Sequence, residues 1–143
     1  MIIKTTRFGE IEIDESRAVY FSEGLIGFPE DKEYVLMEHK PGSPFMWLQS
    51  VSSPELAFVI MNPFQICPDY LEELPPDEAN DLKPGENETV LVFGIVTIPK
   101  GRAAESTVNL LGPIIIDPDA KKGKQVILAN SGYNYRHPLH LKK

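Results

Sequence analysis

The sequence predicts a mainly β protein, one antiparallel domain of sandwich or closed-barrel type, interrupted by a short acidic helical insertion near residues 69–82. Three observations predict it. Short runs rich in branched and aromatic residues recur along the chain, as pleated, half-buried strands require. Prolines, thirteen in all, and dispersed glycines punctuate those runs where turns must be made. One stretch, Asp69 to Glu88, lacks this alternation and reads DYLEELPPDEANDLKPGENE.

The first strand falls at Phe8 to Ile13, where Ile11 and Ile13 share one face and Glu10 and Glu12 the other. Further strands are expected at Ala18 to Phe21, Tyr34 to Glu38, Phe45 to Val51, Leu56 to Met61 and Thr89 to Ile98. Shorter ones follow at Thr107 to Leu111, Ile114 to Ile116 and Gln125 to Leu128. Between them stand turn-forming clusters: Phe28-Pro29-Glu30-Asp31, Lys40 to Pro44, Ser52-Ser53-Pro54, Pro99-Lys100-Gly101, and Asp117 through Gly123. Strands spaced in this way point to a sandwich or closed barrel and away from a βαβ fold. In the exceptional stretch Tyr70, Leu71 and Leu74 recur at helical spacing, with Asp69 and Glu72 near the start where the helix dipole favours acids. Pro75-Pro76 stops that first turn, and a second short helix can start at Pro76 and run to Leu82 before Pro84-Gly85 ends it.

Charge is unevenly placed. Asp69 to Glu88 holds eight acids against Lys83 alone, a net of −7, which equals the net charge of the whole chain. The residues before it carry ten acids and five bases, those after it three acids and eight bases, so the flanks cancel. Such a block steers encounter with cationic surfaces, although a charge run is commonly just a solvated face. The overall acidity argues against direct nucleic-acid binding, which needs clustered Lys and Arg to neutralise phosphates. With 143 residues the chain suits one compact domain. The lone Cys67 can make no internal disulfide, which fits a reducing compartment. The start, MIIKTTRFGE, lacks the apolar core of a signal peptide, and the longest apolar run, Val90 to Ile98, is about half a membrane span. A cytoplasmic protein without membrane contact is expected.

No catalytic constellation emerges. GxSxG, HExxH, Walker and GxGxxG patterns are missing, and His137 and His140, three apart beside Pro138, have no neighbouring ligands to complete a metal site. No metal, cofactor or enzymatic activity is expected; the alternative reading is a β-barrel that binds a small ligand or acts on an unidentified substrate. Gln49 inside WLQSV and Asn109 inside TVNLLGPI are amides in apolar company, and each is expected to brace a turn or neighbouring strand.

Gly24-Leu25-Ile26-Gly27-Phe28-Pro29 is more specific, and so are Phe45 to Ser50 and Ala57-Phe58-Val59-Ile60-Met61-Asn62-Pro63. With Pro68-Asp69-Tyr70, Val90 to Pro99, Thr107 to Leu110, Pro113-Ile114, Gly123-Lys124-Gln125, Tyr133 and Arg136 to Leu139, they run in order through nearly the whole chain. Together they resemble the family of the flagellar assembly factor FliW. Gly112 departs from the alanine expected before Pro113, without consequence for function.

The resemblance implies a single FliW-like β-barrel domain over residues 1–143, a non-enzymatic cytoplasmic regulator. It further implies two alternating partners, flagellin and the RNA-binding translational repressor CsrA: accumulated flagellin occupies the factor and leaves CsrA free, and exported flagellin releases the factor to sequester CsrA. CsrA must present basic surface, so Glu72, Glu73, Asp77, Glu78 and Asp81 are its electrostatic candidates. For flagellin, whose terminal segments are amphipathic, an apolar groove is expected, with Phe28, Trp47 and Tyr133 as candidate lining.

Overall fold

The computed structural model describes residues 2–38, 41–70, 91–128 and 132–139. Its strands are β1 (Ile2–Thr5), β2 (Gly9–Glu12), β3 (Ala18–Phe21), β4 (Glu33–Glu38), β5 (Phe45–Ser50) and β6 (Ala57–Met61), then β7 (Leu91–Thr97), β8 (Thr107–Val108), β9 (Ile114–Asp117), β10 (Lys122–Gln125) and β11 (His137–Pro138). Among the described residues seven of them, in the order β3-β4-β5-β6-β7-β9-β10, return to β3 and close a barrel.

Alternation sorts the apolar residues into two cores. Val19, Phe21, Tyr34, Leu48, Ile60, Phe93, Ile114 and Ile116 fill the barrel, and every one is buried. Their neighbours on the other face, Met61, Val96 and Ile115, join Tyr70, Val108, Leu110, Leu128 and Leu139 in a second core outside the wall. A strand such as β9, with Ile114, Ile115 and Ile116 all buried, reads as a continuous apolar run because both of its faces are covered. The β1–β2 hairpin packs outside β4 and β5, where the Phe8 ring meets Trp47 edge-on at 5.6 Å.

Closure depends on β7 and β10. The amino-terminal half of β7 pairs with β9 and its carboxy-terminal half with β8, both antiparallel. Between those partners the chain must bend, and Asn109 shapes the bend: its Oδ1 accepts from the N–H groups of Leu111 (3.0 Å) and Gly112 (2.8 Å). Gln49 plays the same kind of role after β5, its buried amide donating to the carbonyls of Ser50 and Leu56 at 3.0 and 3.1 Å. The seam is the parallel pairing of β10 with β3, Gly123 beside Phe21.

The sequence expectation needs four corrections. The last predicted strand, Gln125 to Leu128, lies three residues earlier, because a Cβ at position 123 would fall 2.6 Å from the Phe21 ring and only glycine can close the seam. Thr107 to Leu111 shortens to two residues, since Asn109 turns the chain. β1 and β11 were not anticipated; β1 is carried by its partner strand and β11 by register with β8. The pairing is not wholly antiparallel, because the seam is parallel. In the predicted helical insertion Asp69 and Tyr70 lie in a turn, and residues 71–82 fall outside the described residues.

Asp31 ties the β5–β6 turn to the loop before β4. Its Oδ1 accepts from the hydroxyls of Ser50, Ser52 and Ser53 at 2.9, 2.9 and 2.6 Å. The Ser53 hydrogen bond, helped by the other two and opposed by partial burial, holds the carboxyl below its ordinary range. A depressed folded value means that the stabilisation is complete above the unfolded value near pH 4 and is lost as pH falls through the folded one. Asp31→Ala is expected to lower stability by about 2 kcal/mol at pH 7. Urea unfolding at pH 7 and pH 3 checks this, with the difference between variant and parent shrinking at the lower pH.

Tyr34 presents the opposite case. Its hydroxyl is buried inside the barrel with no hydrogen-bond partner among the described residues, and burial, with the Asp31 charge second, pushes its ionisation upward. Tyr34→Phe removes an unsatisfied group while keeping the ring's edge-on contact with Phe21. The variant is expected to match or exceed the parent by up to about 1 kcal/mol, measured by the same unfolding curves.

Candidate partner-binding surfaces

The segment between β3 and β4 carries the most distinctive surface. Leu25 is buried, and after it the chain reverses in one tight turn: the Phe28 N–H donates to the Leu25 carbonyl at 2.7 Å. Gly27 takes φ 90°, the left-handed backbone that such a corner requires. The preceding corner residue, Ile26, is thereby held outward and is 59% exposed.

A second constraint comes from β10. The Gln125 Oε1 accepts from the Ile26 N–H at 2.9 Å while its Nε2 donates to the Gly112 carbonyl at 2.9 Å. One side chain thus joins the turn, the seam strand and the bend after β8. Beside it Ile127 is exposed, and Phe28, 40% exposed, leans edge-on against Phe58 at 5.4 Å. A cleft of about 220 Å³ opens alongside, between Ser22–Ile26 and Gly123–Gln125. An apolar surface of this kind, built on fixed backbone, loses little entropy when a partner covers it.

The three apolar candidates do not converge. Phe28 belongs to this turn. Trp47 is half-buried under the hairpin, with the Arg7 guanidinium 4.5 Å from its ring centre and Phe8 against its edge. Tyr133 is half-buried in the outer core, its ring 4.7 Å from that of Tyr70, whose hydroxyl donates to the Leu110 carbonyl. The structure thus places Phe28 at an exposed turn and Trp47 and Tyr133 in packing contacts elsewhere. Ile26 and Ile127, which are not among the sequence candidates, are exposed here. Glu72, Glu73, Asp77, Glu78 and Asp81 lie outside the described residues, as does His140; His137 is half-buried opposite Val108.

Among the described residues no three His, Cys, Asp or Glu side chains are grouped to hold a metal, and no helix is long and apolar enough to cross a membrane. The Cys67 thiol is pushed up by burial and by its contact with the Asp69 carboxylate, so it is a poor nucleophile.

These features define a closed β-barrel protein with an exposed apolar turn beside its seam. The family model described as FliW protein matches residues 2–139, and the chain belongs to that family. The Natranaerobius thermophilus flagellar assembly factor FliW is 43% identical over 141 residues, covering 97% of this chain and 92% of that protein. Its Magnetococcus marinus counterpart is 40% identical over 139 residues, covering 97% and 85%. A crystal structure of the flagellar assembly factor FliW superposes with a TM-score of 0.83 at 36% identity, covering 100% of this chain and 99% of that one.

Gln125→Ala tests the clamp. Releasing the Ile26 N–H and the Gly112 carbonyl is expected to lower stability by about 1 kcal/mol and to speed Ile26 amide exchange about tenfold, as read by NMR. Unchanged exchange at Ile26 would show that the turn holds itself.

Proposed function

We propose that this protein is a flagellar assembly factor of the cytoplasm that works as a partner switch, binding flagellin and, in alternation, CsrA. Its membership of the FliW family over residues 2–139 carries the reading, because the relatives that match it along nearly their whole length are named flagellar assembly factors. Two mutually exclusive complexes suffice for regulation: free flagellin occupies the factor by mass action, and its export returns the factor to CsrA. No catalytic step is required.

Flagellin docks on the Ile26–Phe28 turn. The turn supports this because it is exposed, apolar and fixed at both ends, as an amphipathic segment needs in a receptor. CsrA meets the acidic residues Glu72, Glu73, Asp77, Glu78 and Asp81, whose charge accelerates capture of a basic protein and disfavours RNA near the captured form.

Paired variants separate the two contacts. Ile26→Ser with Phe28→Ala is expected to weaken flagellin binding at least tenfold and leave CsrA binding within about twofold. Replacing the five acids by their amides is expected to slow CsrA association at least fivefold at low salt and to flatten its salt dependence. Stopped-flow kinetics and calorimetry check both. Unchanged rates and salt slopes in the amide variant would remove the electrostatic half of the proposal.

A further inference from the structure

Two corners lie in the segment between β3 and β4. The Gly24 N–H donates to the Phe21 carbonyl at 2.9 Å, which closes a first turn, and Phe28 and Leu25 then exchange hydrogen bonds at 2.7 and 3.3 Å across the second. Gly24 is the joint between them. Its φ is 65°, and a Cβ built on it would collide with the Phe28 carbonyl oxygen and lie 2.8 Å from the Pro29 α-carbon. The returning limb, Phe28 and Pro29, therefore passes directly against the Gly24 α-carbon. Both obstacles are backbone, so no side chain can swing aside to make room.

Gly27 in the same turn is the internal comparison. It too has a positive φ, 90°, but a Cβ there would meet nothing within 4 Å. The left-handed region open to residues with side chains extends from about +50° to +70° in φ, which admits the value at position 24 and not that at 27. Backbone strain alone thus makes alanine worse at 27, whereas contact with the returning limb makes it worse at 24. The contact also has a definite consequence. The Phe28 carbonyl oxygen is the acceptor for the Leu25 N–H, so pushing it away opens the base of the turn. Leu25 is held in the barrel core, and the movement falls on Phe28, whose ring leaves its contact with Phe58.

We propose that Gly24 is the positioning residue of the flagellin contact, an inference that rests on the docking of flagellin at the Ile26–Phe28 turn and names what sets the geometry of that receptor. The bare α-carbon lets the returning limb close against it. That closure fixes where Phe28 stands relative to Ile26, whose N–H is held separately by Gln125. Gly24 acts through the turn and not by touching flagellin, since it is itself buried and a side chain on it would run into the limb. Alanine at this position keeps Ile26, Phe28 and Ile127 in the chain but loosens their arrangement. Reordering them on binding then lowers affinity.

The test compares Gly24→Ala with Gly27→Ala in the full-length protein, by calorimetry with monomeric flagellin and by NMR. Gly24→Ala is expected to weaken flagellin binding about tenfold and to lose the nuclear Overhauser contact between the Phe28 and Phe58 rings. Its Leu25 amide is expected to exchange about tenfold faster, beyond any change in β5 and β6. CsrA binding within about twofold of the parent, with the cross-strand contacts of β5 and β6 retained, separates a displaced turn from a damaged barrel. Gly27→Ala is expected to bind flagellin within about threefold of the parent and to keep the ring contact. The reverse order, with Gly27→Ala the weaker binder, would overturn the proposal, as would undiminished binding by a folded Gly24→Ala protein. Should Gly24→Ala not fold, Pro29→Gly decides: it loosens the same limb from an exposed position and is expected to bind about threefold more weakly, and undiminished binding would overturn the proposal. The protein carrying both Ile26→Ser and Phe28→Ala separates two failures. If it binds flagellin as the parent does, the docking site is misplaced and the positioning role goes with it. If it loses binding while Gly24→Ala keeps it, the docking site stands and Gly24 alone is excluded.

Discussion

Everything in this fold depends on the seam where β10 meets β3. A seven-stranded ring leaves no wall strand unpaired along its whole length only if its last strand comes within ladder distance of the first, and here Phe21 lies across that approach. Glycine at position 123 lets backbone and ring coexist. The closure brings Gln125 to the Ile26 turn and Lys121 to the opposite end of the wall, so the displayed surfaces follow from the same contact. Closing the ring also hides edges that would otherwise template aggregation.

The polar groups in the interior divide by what they join. Gln49 and Asn109 each replace missing ladder bonds where the chain leaves a strand, and Asp31 collects three hydroxyls across two loops. Each fixes a bend that apolar packing alone would leave free, because burial is non-directional and a hydrogen bond is not. The unsatisfied Tyr34 hydroxyl shows the reverse: its ring is needed between Phe21 and Phe58, and its oxygen comes along without a partner.

Much of this was legible in the residues. Alternation located β3 to β7 and β9 to within one or two residues, since each is long enough to show a period or rich enough in branched residues to stand out. Bracing by Gln49 and Asn109 followed from amides placed in apolar runs. The parts that the residues do not show share a cause. β10 reads KGKQ, with no apolar pattern, and is a strand only because of what it meets across the seam. Phe28, Trp47 and Tyr133 are equally aromatic in sequence, and only tertiary packing separates the exposed ring from the two covered ones. Ile26 could not be seen as exposed without Gln125, ninety-nine residues away.

In the proposed switch the barrel holds the Ile26–Phe28 turn outward as a receptor for flagellin, separate from the acidic contact for CsrA. Amide hydrogen exchange of the protein alone and with each partner tests it most directly. Protection at residues 25–28 and 125–127 with flagellin, and at residues 69–88 with CsrA, is the predicted result. Flagellin protection that leaves residues 25–28 unchanged would contradict it.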